Sequence, residues 1–370
     1  MNRAESPFSV EIAPDWEGFL RCLRREGTPR RVHFIELLID EEVKAAVAER
    51  FSLTVDLEPD DPFYRQKREV RLQRFLGYDY VRCGVDDVGV KIERVSVVDS
   101  AELARAGGRQ FIDEHRGPIT TWDEFEAYPW PDPAKLTTRN LEWLQENLPD
   151  DMCIVGSGGF AHFAEYLSWL MGYETLCYAL FDQRDLVAAI SRRLIELYRV
   201  VVQRMLEFDR VRVIWGSDDM GFRSGTLISP ADLREFVLPG HRAMAEAARA
   251  PSAGWSAGRP YLLHSCGQID AIMDDLLDDV RIDALHSFED NIKTVEETKR
   301  KYGGRIAVLG GIDVDFLCRS GEPEIRRRTR ATLRACHPGG GYCLGTGNSV
   351  ANYIPLDHYL AMLDEGRRFG

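Results

Sequence analysis

Short runs of apolar and β-branched residues recur along the chain. Each is closed by glycine or polar residues and followed by a stretch whose apolar positions repeat every three or four residues. Eight runs fit this description, at 32–37, 80–83, 152–155, 211–215, 261–263, 284–286, 306–309 and 341–344. Strand-like runs alternating with helical stretches argue for a parallel sheet, and eight such units predict an α/β fold, a closed (β/α)8 TIM barrel formed as one domain over 1–370. The clearest helix begins near Asp185, where Leu186, Ile190, Leu194, Leu197, Val201 and Met205 place one apolar stripe against the barrel. A second helix start is written as Ser229-Pro230-Ala231-Asp232, with a capping hydroxyl, a proline in the first turn and an early acid. Pro239 is predicted to break or kink that helix.

Two regions exceed a minimal barrel. The first thirty residues read as an N-terminal helical extension, and the interval between the second and third strands is long. In that interval, 91–98 and 110–113 flank Gly107-Gly108 and predict a hairpin, while Pro129-Trp130-Pro131-Asp132-Pro133 suits neither helix nor sheet interior. The interval is therefore expected to be an insertion over the barrel mouth.

The 370 residues carry 60 acidic and 47 basic side chains, a net charge of -13, which argues against nucleic acid or an anionic membrane as partner. No window approaches the roughly 18 apolar residues of a membrane span, and the first residues lack a secretion signal, so a cytoplasmic protein is expected. Eight cysteines lie far apart, unlike a disulfide scaffold, and most read as buried thiols.

In barrels of this kind the reactive groups sit where strands end at their carboxyl side. There the sequence offers Glu36 after the first run, Gly156-Ser157-Gly158-Gly159-Phe160 after the third, Ser217-Asp218-Asp219 after the fourth and His264-Ser265-Cys266 after the fifth. Glu289 follows the sixth, and Cys343 lies in the eighth. His264, Cys266 and Cys343 supply one imidazole and two thiolates, a set that suits zinc, and three protein ligands leave one position for a substrate atom. Asp218 and Asp219 read as groups for a substrate proton, a cation or a ligand histidine, with helix capping as the plainer alternative. Glu289 reads equally as a fourth ligand, a group orienting His264 or the beginning of a helix.

These residues resemble the uroporphyrinogen decarboxylase superfamily, and within it the zinc-dependent, corrinoid-linked methyltransferases. The resemblance runs over nearly the whole chain. It is carried by Gly172-Tyr173-Glu174, Asp218-Asp219, Ile228-Ser229-Pro230 with Leu238-Pro239, His264-Ser265-Cys266-Gly267, Gly310-Gly311-Ile312-Asp313 and Gly339-Gly340-Gly341-Tyr342-Cys343. It implies zinc on His264, Cys266 and Cys343, and methyl transfer between a small molecule, either a thiol acceptor or a methylated donor, and a corrinoid carried by a partner protein. Asp218 and Glu289 would handle protons or orient ligands, Glu36, Phe160, Asp219 and Arg223 would shape the pocket, and a homodimer is possible. The decarboxylase branch lacks the metal and uses an arginine-rich segment after the first strand, where this chain reads Glu36-Leu37-Leu38-Ile39-Asp40. A metal-free decarboxylase and a non-catalytic barrel that holds a corrinoid or a thiol remain the rival readings.

Overall fold

The computed structural model describes residues 6–86, 88–112, 115–251, 255 and 258–369. Among them nine strands form: β1 Tyr80–Cys83, β2 Arg94–Val97, β3 Arg109–Ile112, β4 Cys153–Gly156, β5 Val211–Asp218, β6 Tyr261–Ser265, β7 Ala284–His286, β8 Ala307–Leu309 and β9 Tyr342–Cys343. Seven of them pair in one curled sheet, in the order β1-β4-β5-β6-β7-β8-β9 with every neighbour parallel. Helices cover its convex side, so seven of the eight sequence runs are strands of one parallel α/β sheet.

The first run departs from that expectation. Residues 33–40 run beside the β9 segment through two isolated parallel bridges, Phe34 to Leu344 and Ile39 to Val350. Among the described residues no backbone hydrogen bond joins this segment to β1, so the structure is a seven-stranded curled sheet in place of the closed eight-stranded barrel. Side chains bridge the seam instead: the Tyr80 hydroxyl accepts from the Glu36 amide at 3.0 Å, and His33 meets Asp79 at 2.7 Å. A backbone amide satisfied by a side chain has no need of a ladder partner.

Strand alternation divides the core into two layers. Leu262 packs with Trp215, Ala284 and Val213 on the concave face, while Tyr261, Leu263 and Leu285 pack with the helices outside. The ring of Trp215 on β5 meets that of His286 on β7 at 5.7 Å, across the intervening β6, which shows how strongly the sheet curls.

The 22-residue helix Arg184–Met205 buries the predicted stripe, including Leu186, Ile190, Leu194, Leu197, Val201 and Met205. Ser229 caps its helix by accepting from the Asp232 amide at 3.1 Å. That helix passes through a π turn at Leu233–Val237 before Pro239 enters the first turn of Leu238–Arg249, so the proline marks an irregularity without ending the helical run. The extension contains the helix Trp16–Leu23, and β2 and β3 form the predicted antiparallel hairpin; Asp113, at the end of that reading, lies outside the described residues. None of the described helices is long and apolar enough to cross a membrane.

Candidate metal centre

Strand register assembles the site. Pairing of β5 with β6 sets Ser217 opposite His264 and Asp218 opposite Ser265, so the next residue, Asp219, arrives beside Cys266. One donor atom from each of Asp219, His264 and Cys266 lies within 4.8 Å of the other two. The Cys266 sulfur is 3.3 Å from His264 Nε2, which is 3.6 Å from Asp219 Oδ1. The Cys266 amide donates to that same oxygen at 3.0 Å and fixes the carboxylate against the trio.

Pairing of β6 with β7 sets His264 opposite His286, and the two Nδ1 atoms are 2.7 Å apart. One of these nitrogens must donate and the other accept, which turns His264 Nε2 toward Asp219 and Cys266. Burial, followed by the nearby charges of His264 and Arg82, holds His286 well below the usual imidazole range, so it stays neutral.

Electrostatics favours a cation at the centre. Burial raises the Cys266 thiol, and the Asp219 carboxylate raises it further. Asp219 itself, although burial opposes its charge, is held down at about 2 by His264 and by the Cys266 hydrogen bonds. A permanent negative charge beside a thiol favours the neutral thiol, unless a divalent ion binds both. Imidazole nitrogen, thiolate sulfur and carboxylate oxygen are zinc donors, so the trio fits that metal.

Cys343, expected beside His264 and Cys266, lies apart from this group. Its thiol lies against Cys22 on the N-terminal helix, is fully buried in the same apolar layer as Tyr342 and Leu344, and is pushed up by that burial. Cys22 in turn hydrogen-bonds the Tyr342 carbonyl at 3.2 Å. The position near Cys266 is taken instead by Asn348, five residues beyond the end of β9, whose Nδ2 donates to the Cys266 sulfur at 3.2 Å.

Asp218, expected to handle protons or orient ligands, is surrounded by hydrogen-bond donors. One oxygen accepts from the Phe163 and Ala164 amides and from His241, at 3.0, 2.9 and 2.9 Å. The other accepts from the Glu165 and Asp219 amides, at 3.1 and 3.0 Å. Five donors occupy the acceptor capacity of a carboxylate, so this one anchors the start of the helix Phe163–Met171. Glu289 lies outside the trio; its carbonyl accepts from the Ile292 and Lys293 amides, and the following helix begins only after Thr294. Phe160 is core, edge-on to Tyr198, and Arg223 is exposed on the loop after β5.

Glu36 does line a cavity, of about 390 Å³, that occupies the seam between 33–40 and β1. Its oxygens accept from the Thr346 amide and hydroxyl at 2.8 and 2.6 Å, and burial raises its carboxyl to about 8. Arg82 on β1 lines the same cavity, with its guanidinium 4.9 Å from the Trp215 ring centroid and Nε donating to Ser157 Oγ at 2.9 Å. Beyond β4, His162 Nδ1 is 2.5 Å from Glu165 Oε2; burial opposes the charge on His162, but Glu165 outweighs it and raises the imidazole, while burial lifts Glu165 to about 7.

Sequence reasoning missed Asn348, Arg82 and the His162–Glu165 pair. Arg82 had a signal, a cation within a short apolar strand run. Asn348 follows the last strand at its carboxyl end, where its amide carries no sequence signal comparable to the thiol of Cys343.

A parallel sheet bearing His264, Cys266 and Asp219 at the carboxyl ends of neighbouring strands defines a barrel-like α/β protein with its site at the mouth. The profile of the uroporphyrinogen decarboxylase (URO-D) family matches residues 114–369, and the chain belongs to that family. A methylated-thiol–coenzyme M methyltransferase of Methanosarcina mazei is 30% identical over 139 residues, which are 37% of this chain and 33% of that protein, so the match spans about a third of the relative's length. A solved structure described as a methyltransferase from Methanosarcina mazei superposes with a TM-score of 0.67 at 18% identity, over 95% of this chain and 98% of that one, and shares the fold.

Proposed function

We propose that this protein moves a methyl group between a small molecule and a corrinoid carried by a partner protein, with zinc held by Asp219, His264 and Cys266. The observation that carries the reading is the convergence of one oxygen, one nitrogen and one sulfur donor within 4.8 Å at the sheet's carboxyl edge. Membership of the family and the methyltransferase name of the relative support it.

Bound there, zinc would act as a Lewis acid toward a thiol or a methylated leaving group at its open position. The remaining chemistry belongs to the chain. His286 fixes the His264 tautomer, and the Asn348 amide donates to the Cys266 sulfur, which tempers that thiolate's own reactivity toward a methyl group. Asp218 holds the strand end that presents Asp219, and Glu165, raised by burial to about 7 and paired with His162, could exchange a proton near neutral pH.

The test is a single-turnover absorbance assay that follows conversion between reduced cobalamin and methylcobalamin, with methylated small molecules as donors and thiols as acceptors. Zinc-loaded protein is expected to change the cobalt spectrum, and Cys266→Ser to slow it by about 100-fold or more. Porphyrinogen decarboxylation by metal-free protein would contradict the reading in favour of the decarboxylase. Binding of methylcobalamin with no methyl loss to any thiol, and no methylation of reduced cobalamin, would contradict it in favour of a non-catalytic binder.

A further inference from the structure

The seam cavity contains a feature that the metal centre does not use. Arg82 extends from β1 into the concave side of the sheet, and among the described residues no carboxylate lies within ion-pair distance of it. The other cations around the cavity are matched or wet. Lys44 pairs with Glu69 at 2.8 Å, Arg68 pairs with Glu41, and Arg65 is exposed. Arg82 is neither; its Nη1 is buried without a hydrogen-bond partner, and its Nε has only the neutral Ser157 hydroxyl.

Burial lowers its guanidinium to about 10, which leaves it charged at neutral pH. Glu36, on the opposite wall, does not compensate it: burial holds that carboxyl protonated up to about 8 and its oxygens are committed to Thr346. A half-buried guanidinium whose Nη1 is sealed off without a partner and which no carboxylate pairs is a costly feature for a fold to retain, and a ligand oxyanion removes the cost by supplying the missing charge and a two-pronged acceptor.

None of Asp219, His264 and Cys266 lines the cavity, but side chains link its anchor to the proposed centre. The Arg82 guanidinium stacks on Trp215, the Trp215 ring meets His286 at 5.7 Å, and His286 hydrogen-bonds His264. Anchor and metal centre are thus joined by a continuous run of side chains on the concave face. A volume of about 390 Å³ lies within the range of small-molecule sites.

We infer that the seam cavity takes the carboxylate end of a small methylated substrate, with Arg82 as its anchor and Ser157 holding the guanidinium in place. This deepens the proposed function by naming a substrate class, and it rests on that reading only for the methyl group.

Calorimetric titration tests it with methoxyacetate, methylthioacetate and 3-methoxybenzoate, each paired with its neutral amide. On the native protein, at least one acid is expected to bind about tenfold or more tightly than its amide, the usual worth of a hydrogen bond to a charged group. Arg82→Met is expected to abolish that preference and Arg82→Lys to keep part of it, since lysine preserves the charge without the fork. Binding of no acid in the panel, equal binding of acid and amide by the native protein, or a preference that survives in Arg82→Met would each overturn the inference. The acid–amide comparison on native protein needs no variant, so misfolding of Arg82→Met does not weaken it. Failure of methyl transfer to cobalamin would leave the binding preference intact, which separates this inference from the function it deepens.

Discussion

Glu36 and Cys343 show how burial decides what a reactive side chain does. Glu36 keeps its proton more tightly when folded than when unfolded, because burial raises its carboxyl from about 4.5 to about 8. Such a group favours the folded state fully below the unfolded value, and that contribution is lost as pH rises toward the folded value. Between about pH 4.5 and 8 it lowers stability by up to about 1.4 kcal/mol per pH unit. Glu36→Gln keeps an acceptor for the Thr346 amide and offers its own amide to the Thr346 hydroxyl, so urea unfolding across that range is expected to show a shallower decline than the native protein. An unchanged slope would mean that Glu36 is ionised in the fold. Cys343, walled in beside Cys22, is expected to be dispensable for metal: Cys343→Ala should bind zinc in native stoichiometry and lose about 1–2 kcal/mol of stability for the emptied core volume. Loss of zinc on that substitution, read by elemental analysis, would return Cys343 to the ligand set.

Among the elements, the strands were legible because each is a short apolar run bounded by turn residues, and β1, β4–β9 all fall on runs predicted from the sequence. The 32–37 run is the one that does not form a full strand, for a physical reason. It has strand character, yet two isolated bridges from the 33–40 segment to residues beyond β9 on one side and side-chain bonds to Tyr80 and Asp79 on the other leave it without a full ladder. His264, Cys266 and Asp219 were legible as strand-end residues, whereas which third side chain joins His264 and Cys266 was not. Sequence pattern places Cys343 on the last strand but does not reveal that its side chain turns toward the N-terminal helix. Asp218 is likewise decided by an element that pattern cannot see, the helix Phe163–Met171, whose first amides converge on it. Asp218→Ala strands those amides and His241 in the core, so a loss of about 2–4 kcal/mol is expected in denaturant unfolding. A loss below about 0.5 kcal/mol would contradict the scaffold role.

At the scale of the whole molecule, the curled sheet gathers the Asp219, His264 and Cys266 trio at the ends of β5 and β6, and the seam beside β1 holds a cavity. The N-terminal helix seals the other end of β9, where Cys22 bonds the Tyr342 carbonyl. The acidic balance of the chain, with a net charge of -13, places the positive Arg82 in an otherwise negative molecule, where a local cation rather than overall charge draws an anionic group.

The most direct measurement is zinc X-ray absorption on protein purified without added metal, native and with Cys266→Ser or Cys343→Ser. One bound zinc with a single sulfur neighbour at about 2.3 Å is predicted, lost in Cys266→Ser and unchanged in Cys343→Ser. A protein without zinc, or a zinc with two sulfur neighbours of which Cys343→Ser removes one, would contradict the centre formed by Asp219, His264 and Cys266.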